Sequence, residues 1–242
     1  MAMLFNKIIY LNEFSKVSES SCGRFVKKES RRCLRGEIEV LIKLTQCPYI
    51  PKLIDVVNHQ GVILERLHPA PKNTSQKNIS RIYRYILEYI ADNQIFFNLH
   101  RFDLNFIKNT IVGMEKEVSR CIHLQYIFDL NFLMHTTKNA IDIIEKNNMR
   151  YKNFYLLHGD LHIGNIMMGD KHLKIIDWED AILFSTNIEE NTDLHYLYQV
   201  YRLLLFIMDF LEYGNYELLL SQKNKIKKWS DKILRDYQKI MS

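Results

Sequence analysis

Polar residues at fixed intervals in an apolar frame constrain this chain more than any other feature. Asp160 and Asn165 are five residues apart in the run His-Gly-Asp-Leu-His-Ile-Gly-Asn, and Asp177 follows in Ile-Ile-Asp-Trp-Glu. Residues 166–174 have the pattern of a strand, a Gly-Asp turn and a second strand. A hairpin of that length returns the chain to the same end of the sheet, so we expect Asn165 and Asp177 to lie side by side.

These residue types fit the chemistry of phosphoryl transfer from ATP. One carboxylate can receive the proton of an acceptor hydroxyl, while a carboxamide and a second carboxylate hold Mg²⁺ on the phosphates. The two motifs resemble those of the aminoglycoside phosphotransferase and choline kinase family, relatives of protein kinases that phosphorylate small molecules. The resemblance implies that Asp160 is the catalytic base and that Asn165 and Asp177 bind the metal. It also implies that His158 braces the catalytic loop and that His162 lies close to the transferred phosphoryl group.

A zinc site is the main alternative for this cluster. His158, Asp160 and His162 form a His-x-Asp-x-His pattern, which is an acceptable set of zinc ligands. No cysteine joins the cluster, however, and Asn165 with the downstream Asp-Trp-Glu would then have no role. We therefore favour phosphoryl transfer, with its structural context as the test.

A lysine and a glutamate near the N-terminus match the same chemistry. A turn and a short strand end at Lys27-Lys28, and residues 34–44 carry apolar residues at helical spacing. By resemblance to the family, Glu37 is the helix glutamate that positions a phosphate-binding lysine. The two-residue alternation of a strand puts Lys28 on the adenine-facing side and Lys27 on the other, so Lys28 is the prediction and Lys27 the alternative.

Further nucleotide contacts follow from order along the chain. Two apolar strands around a polar turn follow the helix, and the resemblance makes the end of the second strand, Glu65 to Leu67, the hinge that reads the adenine edge. The loop at 11–16 lacks the glycines of a protein-kinase phosphate loop. Its backbone N–H groups and Ser15, or alternatively Lys16, are then the expected phosphate contacts. The choice between ATP and GTP stays open.

The segment after the metal motif favours a small, possibly cationic acceptor. No Ala-Pro-Glu anchor or long activation segment is present to build a peptide platform, and a strongly apolar helix begins at Leu194, with Thr192 or Asp193 as its N-cap. An aminoglycoside, an amino alcohol or a sugar fits equally well. Carboxylates that could line a cationic acceptor pocket, although charge runs are usually at the surface, are Glu179, Asp180, Glu189, Glu190 and Asp193.

Other functions on the same fold are alternatives to a small-molecule kinase. A protein kinase is disfavoured by the missing peptide platform. A lipid-headgroup or polysaccharide kinase has only the basic C-terminus in its favour. A catalytically silent binding module is disfavoured because Asp160, Asn165 and Asp177 are all intact.

The resemblance implies an α+β fold of the two-lobed protein-kinase type. We expect a small antiparallel-sheet N-lobe over residues 1–67, with the hinge near 65–67, and a mostly helical C-lobe over 68–242. The catalytic loop is then 158–165. A hydrophobic content of 47% is enough for a sizeable core in 242 residues.

Apolar periodicity predicts the helices of the C-lobe. Residues 78–98 carry one helical face, and 104–126 carry another that Gly113 could interrupt. Residues 130–147 repeat the pattern and are expected to pack beneath the catalytic loop.

The C-terminus is a basic amphipathic helix in a chain of net charge +5. Such a helix can contact an anionic membrane, but docking on the protein with the lysines in water is the favoured expectation. We expect no nucleic-acid partner. The cysteines at 22, 33, 47 and 121 have no Cys-x-x-Cys spacing and follow no signal-peptide pattern, which predicts reduced thiols in a cytoplasmic protein.

Overall fold

The computed structural model of the protein describes residues 3–12, 14–146, 154–184, 192–212 and 214–241. In chain order its strands are β1 (Phe5–Leu11), β2 (Ser15–Ser20), β3 (Phe25–Ser30), β4 (Leu53–Asn58), β5 (Gly61–Glu65), β6 (His68–Pro69), β7 (Arg101–Phe102), β8 (Tyr155–Leu157), β9 (Ile166–Met168), β10 (Leu173–Ile175) and β11 (Ile182–Phe184). Its helices are α1 (Arg35–Lys43), α2 (Gln76–Asp92), α3 (Leu104–Phe106), α4 (Val112–Ser119), α5 (Leu130–Lys146), α6 (Thr192–Glu212), α7 (Tyr216–Ser221) and α8 (Lys223–Met241).

Packing divides the chain into two compact units. The first unit comprises Met1–Leu99 and Leu156–Leu183, and the second comprises His100–Tyr155 and Phe184–Ser242. Every residue predicted to bind nucleotide or metal, and the predicted base, belongs to the first unit. The lobe boundary near residue 67 is a different division of the chain and stays a prediction.

An antiparallel sheet with the strand order β1-β2-β3-β5-β4 forms one side of the first unit. The expected hairpin of β4 and β5 is present, and the helix predicted from residues 34–44 is α1. The buried face of α1, through Val40 and Leu41, shares one hydrophobic core with Val62 and Leu64 of β5. The mixed α+β class and the antiparallel N-terminal sheet are confirmed.

A small second sheet of the first unit has the order β10-β9-β6. The hairpin of β9 and β10 closes where Gly169 N donates to His172 O at 2.9 Å. β6 pairs with β9, so the chain segment just after β5 lies directly beside this hairpin. Ile166, Ile175 and Trp178 from the hairpin region complete the core of the unit.

α2 differs in length from the prediction. Its N-terminus is capped by Ser75, whose hydroxyl accepts from Asn78 N, and its apolar face is buried through Ile79, Ile82 and Ile86. The helix ends at Asp92 instead of continuing to residue 98, because Gln94 adopts a left-handed conformation with φ 49°. The prediction of a helix as far as residue 98 is therefore wrong for residues 93–98.

The second unit is mostly helical, with α6 packed against α4, α5 and α8. The helical stretch expected from Leu104 is present, and Gly113, the possible break, does not interrupt it: a π-helical turn and α4 continue through it, and the break comes after Ser119. Asp193 lies in α6 and accepts a hydrogen bond from Tyr237 Oη at 2.7 Å. The N-terminal cap of α6, predicted to be Thr192 or Asp193, adjoins residues outside the described ranges and stays a prediction. The expected position of α5 beneath the catalytic loop stays a prediction.

The C-terminal helix α8 buries its apolar face against α6 through Ile226, Ile233 and Tyr237. The basic side chains of its outer face are exposed, namely Lys223, Lys225, Lys227, Lys228, Lys232 and Arg235. Among the described helices, none has an apolar stretch long enough for a bilayer. The four cysteines are free thiols, as expected.

Candidate active site

The buried ring of His158 joins the segment that carries Asp160 to the segment that carries Asp177. Its Nδ1 accepts from Asp160 N at 3.2 Å, so the ring proton is on Nε2, which donates to Ile176 O at 2.9 Å. The ring centroid lies 4.5 Å from that of Trp178. Burial lowers the pKa of His158, so the neutral ring that these bonds require is the stable form at neutral pH.

Gly159 makes the turn between His158 and Asp160. Its φ is 89°, a conformation that residues with a side chain rarely adopt. A Cβ atom at this position would lie 2.2 Å from the Asp180 carbonyl oxygen. Glycine is therefore required both by the backbone conformation and by the close approach of the segment after Asp177.

This requirement makes a measurable prediction for stability. Gly159→Ala is expected to lower the free energy of unfolding by about 2 kcal/mol or more, because the left-handed conformation is strained and a backbone carbonyl must move. The matched control is Gly113→Ala, which lies inside α4 with no atom within 4 Å of the added Cβ and is expected to be neutral or stabilising. Urea denaturation of both variants measures the difference, and equal effects would contradict the assignment.

Asp160, His162 and Asn165 are brought together by one short helical turn. Asn165 Nδ2 donates to the Asp160 backbone O at 2.9 Å, which leaves Oδ1 as the atom of that side chain able to bind a cation. His162 Nδ1 accepts from Gly164 N at 2.9 Å, so its protonated Nε2 faces Asp160 Oδ2 at 3.4 Å. The Asp160 side chain is 44% exposed, so a molecule in solution can reach its carboxylate.

Asp177 lies beside this turn, as the hairpin predicts. Ile176 N donates to Asn165 O at 3.0 Å, which fixes the two metal-binding candidates at the same end of β9 and β10. Asp177 has φ 66°, and a left-handed aspartate is uncommon and strained. Strain at a residue whose carboxylate faces other charged groups is typical of a functional position.

Lys28 meets Glu37 at the inner side of the sheet. Its Nζ donates to Glu37 Oε2 at 2.7 Å and to Asp177 Oδ1 at 2.5 Å, and Glu37 is only 1% exposed. Lys27 instead contacts Glu29 at 2.7 Å. Burial alone would favour loss of the Lys28 proton, but the surrounding carboxylates outweigh it and raise the pKa of Lys28 above its ordinary value. The strand alternation thus separates the two lysines as predicted.

A matched pair of lysine variants tests this separation. Lys28→Met is expected to destabilise the fold by about 3 kcal/mol, because it leaves the buried Glu37 carboxylate without a cation, and to weaken nucleotide binding. Lys27→Met removes the same charge from the same strand and is expected to do neither. Thermal unfolding and nucleotide titration of the two variants provide the measurements. A larger loss of nucleotide affinity in Lys27→Met would reverse the assignment.

Glu179, Asp180 and Arg32 enlarge the charged cluster beyond what the motif predicted. Glu179 Oε2 lies 3.4 Å from Lys28 Nζ, and Arg32 Nη1 lies 3.4 Å from Glu179 and 3.3 Å from Asp180. Burial raises the pKa of Glu179, and the nearby carboxylates of Asp177 and Glu37 add to that effect. Arg32 has no counterpart in the motifs and was missed, since its partners are far away in the sequence.

The carboxylates proposed for an acceptor pocket divide into three groups. Glu179 and Asp180 face Arg32, so they belong to the charged cluster. Asp193 bonds to Tyr237 within the second unit. Glu189 and Glu190 lie outside the described residues.

The predicted hinge and phosphate loop use much of their hydrogen-bonding capacity within the first unit. Glu65 Oε1 contacts Lys174 Nζ at 2.5 Å and accepts from Lys52 N at 2.7 Å. Glu65 N and Arg66 N donate to other backbone carbonyls, whereas Leu67 N makes no hydrogen bond within the described part of the chain. The Ser15 hydroxyl donates to Asn12 Oδ1 at 3.2 Å, which keeps the turn before β2 in place.

Two solved structures of similar fold are an aminoglycoside phosphotransferase and an ethanolamine kinase. The aminoglycoside phosphotransferase APH(4)-Ia is similar with a TM-score of 0.55 and 12% identity, over 97% of this chain and 93% of that one. An ethanolamine kinase of Plasmodium vivax has a TM-score of 0.52 and 13% identity, over 97% of this chain and 82% of that one. At these identities the similarity shows the fold alone. A sequence comparison with curated proteins finds no match.

A family model shows the sequence relationship that the low-identity structural matches do not. The model of the phosphotransferase enzyme family, APH, matches residues 16–183, more than two thirds of the chain. The matched region includes Lys28, Glu37, the predicted catalytic loop at 158–165 and Asp177. The resemblance drawn from the motifs is thereby confirmed, and the chain belongs to the phosphotransferase enzyme family.

Proposed function

We propose that the protein is an ATP- and Mg²⁺-dependent phosphotransferase that moves the γ-phosphate to a hydroxyl of a small molecule. The observation that carries this proposal is the convergence of Lys28, Glu37, Asn165 and Asp177 beside the half-exposed Asp160. Crystals of APH(4)-Ia, which shares the fold, contain AMP-PNP and hygromycin B or ADP and hygromycin B. An adenine nucleotide and a small acceptor are consistent with that fold.

The residues present fit a magnesium ion. Oxygen atoms of Glu37, Asp177 and Glu179 lie within 4.8 Å of one another, and hard oxygen ligands are those that Mg²⁺ prefers. With Asp180, these carboxylates outnumber Lys28 and Arg32, so the fully ionised cluster has an excess of negative charge. Asn165 and Asp177 would hold the ion, which when bound offsets charge between the β and γ phosphates.

The first unit supplies the groups that would bind the nucleotide. Lys28, held by Glu37, donates to the α and β phosphates, as the lysine of a kinase site does. The backbone around Glu65 and Leu67 reads the adenine edge, and the N–H of Leu67 is suited to this because it makes no hydrogen bond to any described residue. The backbone N–H groups and the Ser15 hydroxyl of the turn before β2 would contact the phosphates.

Asp160 is the group that receives the proton. The acceptor hydroxyl hydrogen-bonds to its carboxylate, which orients the oxygen in line with the γ-phosphate and takes the proton late in a loose transition state. His162 Nε2 lies 3.4 Å from Asp160 Oδ2, so it would steady the carboxylate close to the path of the phosphoryl group. Catalysis here is mostly positioning and electrostatics.

The test is nucleotide turnover with Mg²⁺ against a panel of aminoglycosides, amino alcohols and sugars. Turnover that one acceptor stimulates supports the proposal and names the acceptor class. Nucleotide binding without stimulation by any member would move the function to a protein, lipid-headgroup or polysaccharide acceptor. Failure to bind nucleotide would indicate a silent module and overturn the proposal.

A further inference from the structure

The hydroxyl of Tyr83 in α2 bonds to the backbone on both sides of Leu157. Tyr83 Oη donates to Leu156 O at 2.6 Å and accepts from His158 N at 3.2 Å. The ring packs against the core of the first unit, and the hydroxyl is its buried end. Burial raises the pKa of Tyr83, so the hydroxyl keeps the proton that it donates.

One of the two backbone groups bound by Tyr83 belongs to His158, whose ring contacts the segments of Asp160 and Asp177. His158, whose N–H is bound by Tyr83, places its ring between Asp160 N and Ile176 O. Displacement of its backbone therefore moves both contacts of the ring, and with them the segments that carry Asp160 and Asp177. A displacement of about 1 Å in such a constellation can cost a hundredfold in rate.

α2 is anchored at its N-terminus and along its apolar face, so the position of Tyr83 is well fixed. Ser75 caps the start of the helix, and Ile79, Ile82 and Ile86 hold its face in the core. Tyr83 is therefore presented from a rigid element to the end of β8, where the chain must turn through Gly159. A phenylalanine would pack equally well but would leave a carbonyl and an N–H without their partner.

We propose that Tyr83 is a positioning residue, which sets the catalytic loop through the backbone of Leu156 and His158. This inference rests on the proposed function, because the loop is catalytic only if Asp160 is. Tyr83 touches no reacting group and acts through His158.

The test compares Tyr83→Phe with Tyr237→Phe, a buried tyrosine of the second unit whose hydroxyl donates to Asp193 at 2.7 Å. Each variant loses one hydroxyl and its hydrogen bonds. We expect kcat to fall roughly ten- to a hundredfold in Tyr83→Phe, with KM for nucleotide and acceptor within twofold. Tyr237→Phe should lose thermal stability without a change in kcat. An unchanged kcat in folded Tyr83→Phe, or a loss confined to KM, would overturn the inference.

Amide hydrogen exchange separates this inference from the proposed function. In Tyr83→Phe, peptides covering residues 156–165 should exchange faster than in the wild type, whereas Tyr237→Phe should leave them unchanged. This readout needs no turnover, so an inactive wild type would sink the proposed function while exchange still decides the role of Tyr83. If Tyr83→Phe does not fold, 3-fluorotyrosine at this position weakens the acceptor but keeps the shape. Unchanged exchange at His158 would then count against the inference.

Discussion

Asp160→Ala is expected to lower kcat by about a hundredfold or more while nucleotide affinity stays nearly the same. The carboxylate lies at the open side of the catalytic turn, 3.4 Å from His162 Nε2, and Lys28 is bound to other carboxylates. Removing the Asp160 side chain therefore takes away the proton acceptor without touching the phosphate-binding groups. The Asp160 backbone oxygen that accepts from Asn165 is retained, so the turn itself should persist.

The measurement is single-acceptor turnover together with calorimetric titration of the nucleotide. Asp170→Ala is the matched control, because Asp170 is an exposed aspartate in the turn of the same β9–β10 hairpin. It should keep wild-type turnover and affinity. If Asp160→Ala retained turnover, the assignment of the base would be wrong; if it lost nucleotide binding as well, Asp160 would be a phosphate or metal residue.

Asp177→Asn is expected to weaken Mg²⁺-dependent nucleotide binding by about tenfold or more, which corresponds to about 1.4 kcal/mol. Asparagine tolerates the left-handed conformation that Asp177 adopts at φ 66°, so the backbone should remain in place and the loss should report the charge. The substitution also frees Lys28 from a carboxylate 2.5 Å away. Nucleotide binding without Mg²⁺ should therefore stay equal or become tighter.

This opposite response to the metal is the diagnostic result. In Asp177→Asn, the affinity for nucleotide should fall in the presence of Mg²⁺ but stay equal or rise in its absence. Asp170→Asn, in the exposed turn of the hairpin, should follow the wild type under both conditions. An equal loss of affinity with and without Mg²⁺ would indicate a structural role for Asp177. Full Mg²⁺ stimulation in the variant would remove it from the metal site.

The elements that local pattern predicted well are those in which neighbours in sequence are neighbours in space. The β9–β10 hairpin, α1 and the strand bearing Lys28 follow from apolar periodicity and turn residues. Helix ends were predicted less well, because one residue can decide them. Gln94 ends α2 early through its backbone conformation, and Gly113 is tolerated inside α4 although glycine is a poor helix former.

By itself, the sequence determined the chemistry of the motif and the nearness of Asn165 and Asp177, since a short hairpin connects them. Family resemblance added the pairing of Lys28 with Glu37. Only the tertiary structure decided which distant groups join them. Lys28 contacts Asp177 across 149 residues, Arg32 contacts Glu179 across 147 and Tyr83 contacts His158 across 75. Contacts of that range depend on how whole elements pack, and no local periodicity encodes them.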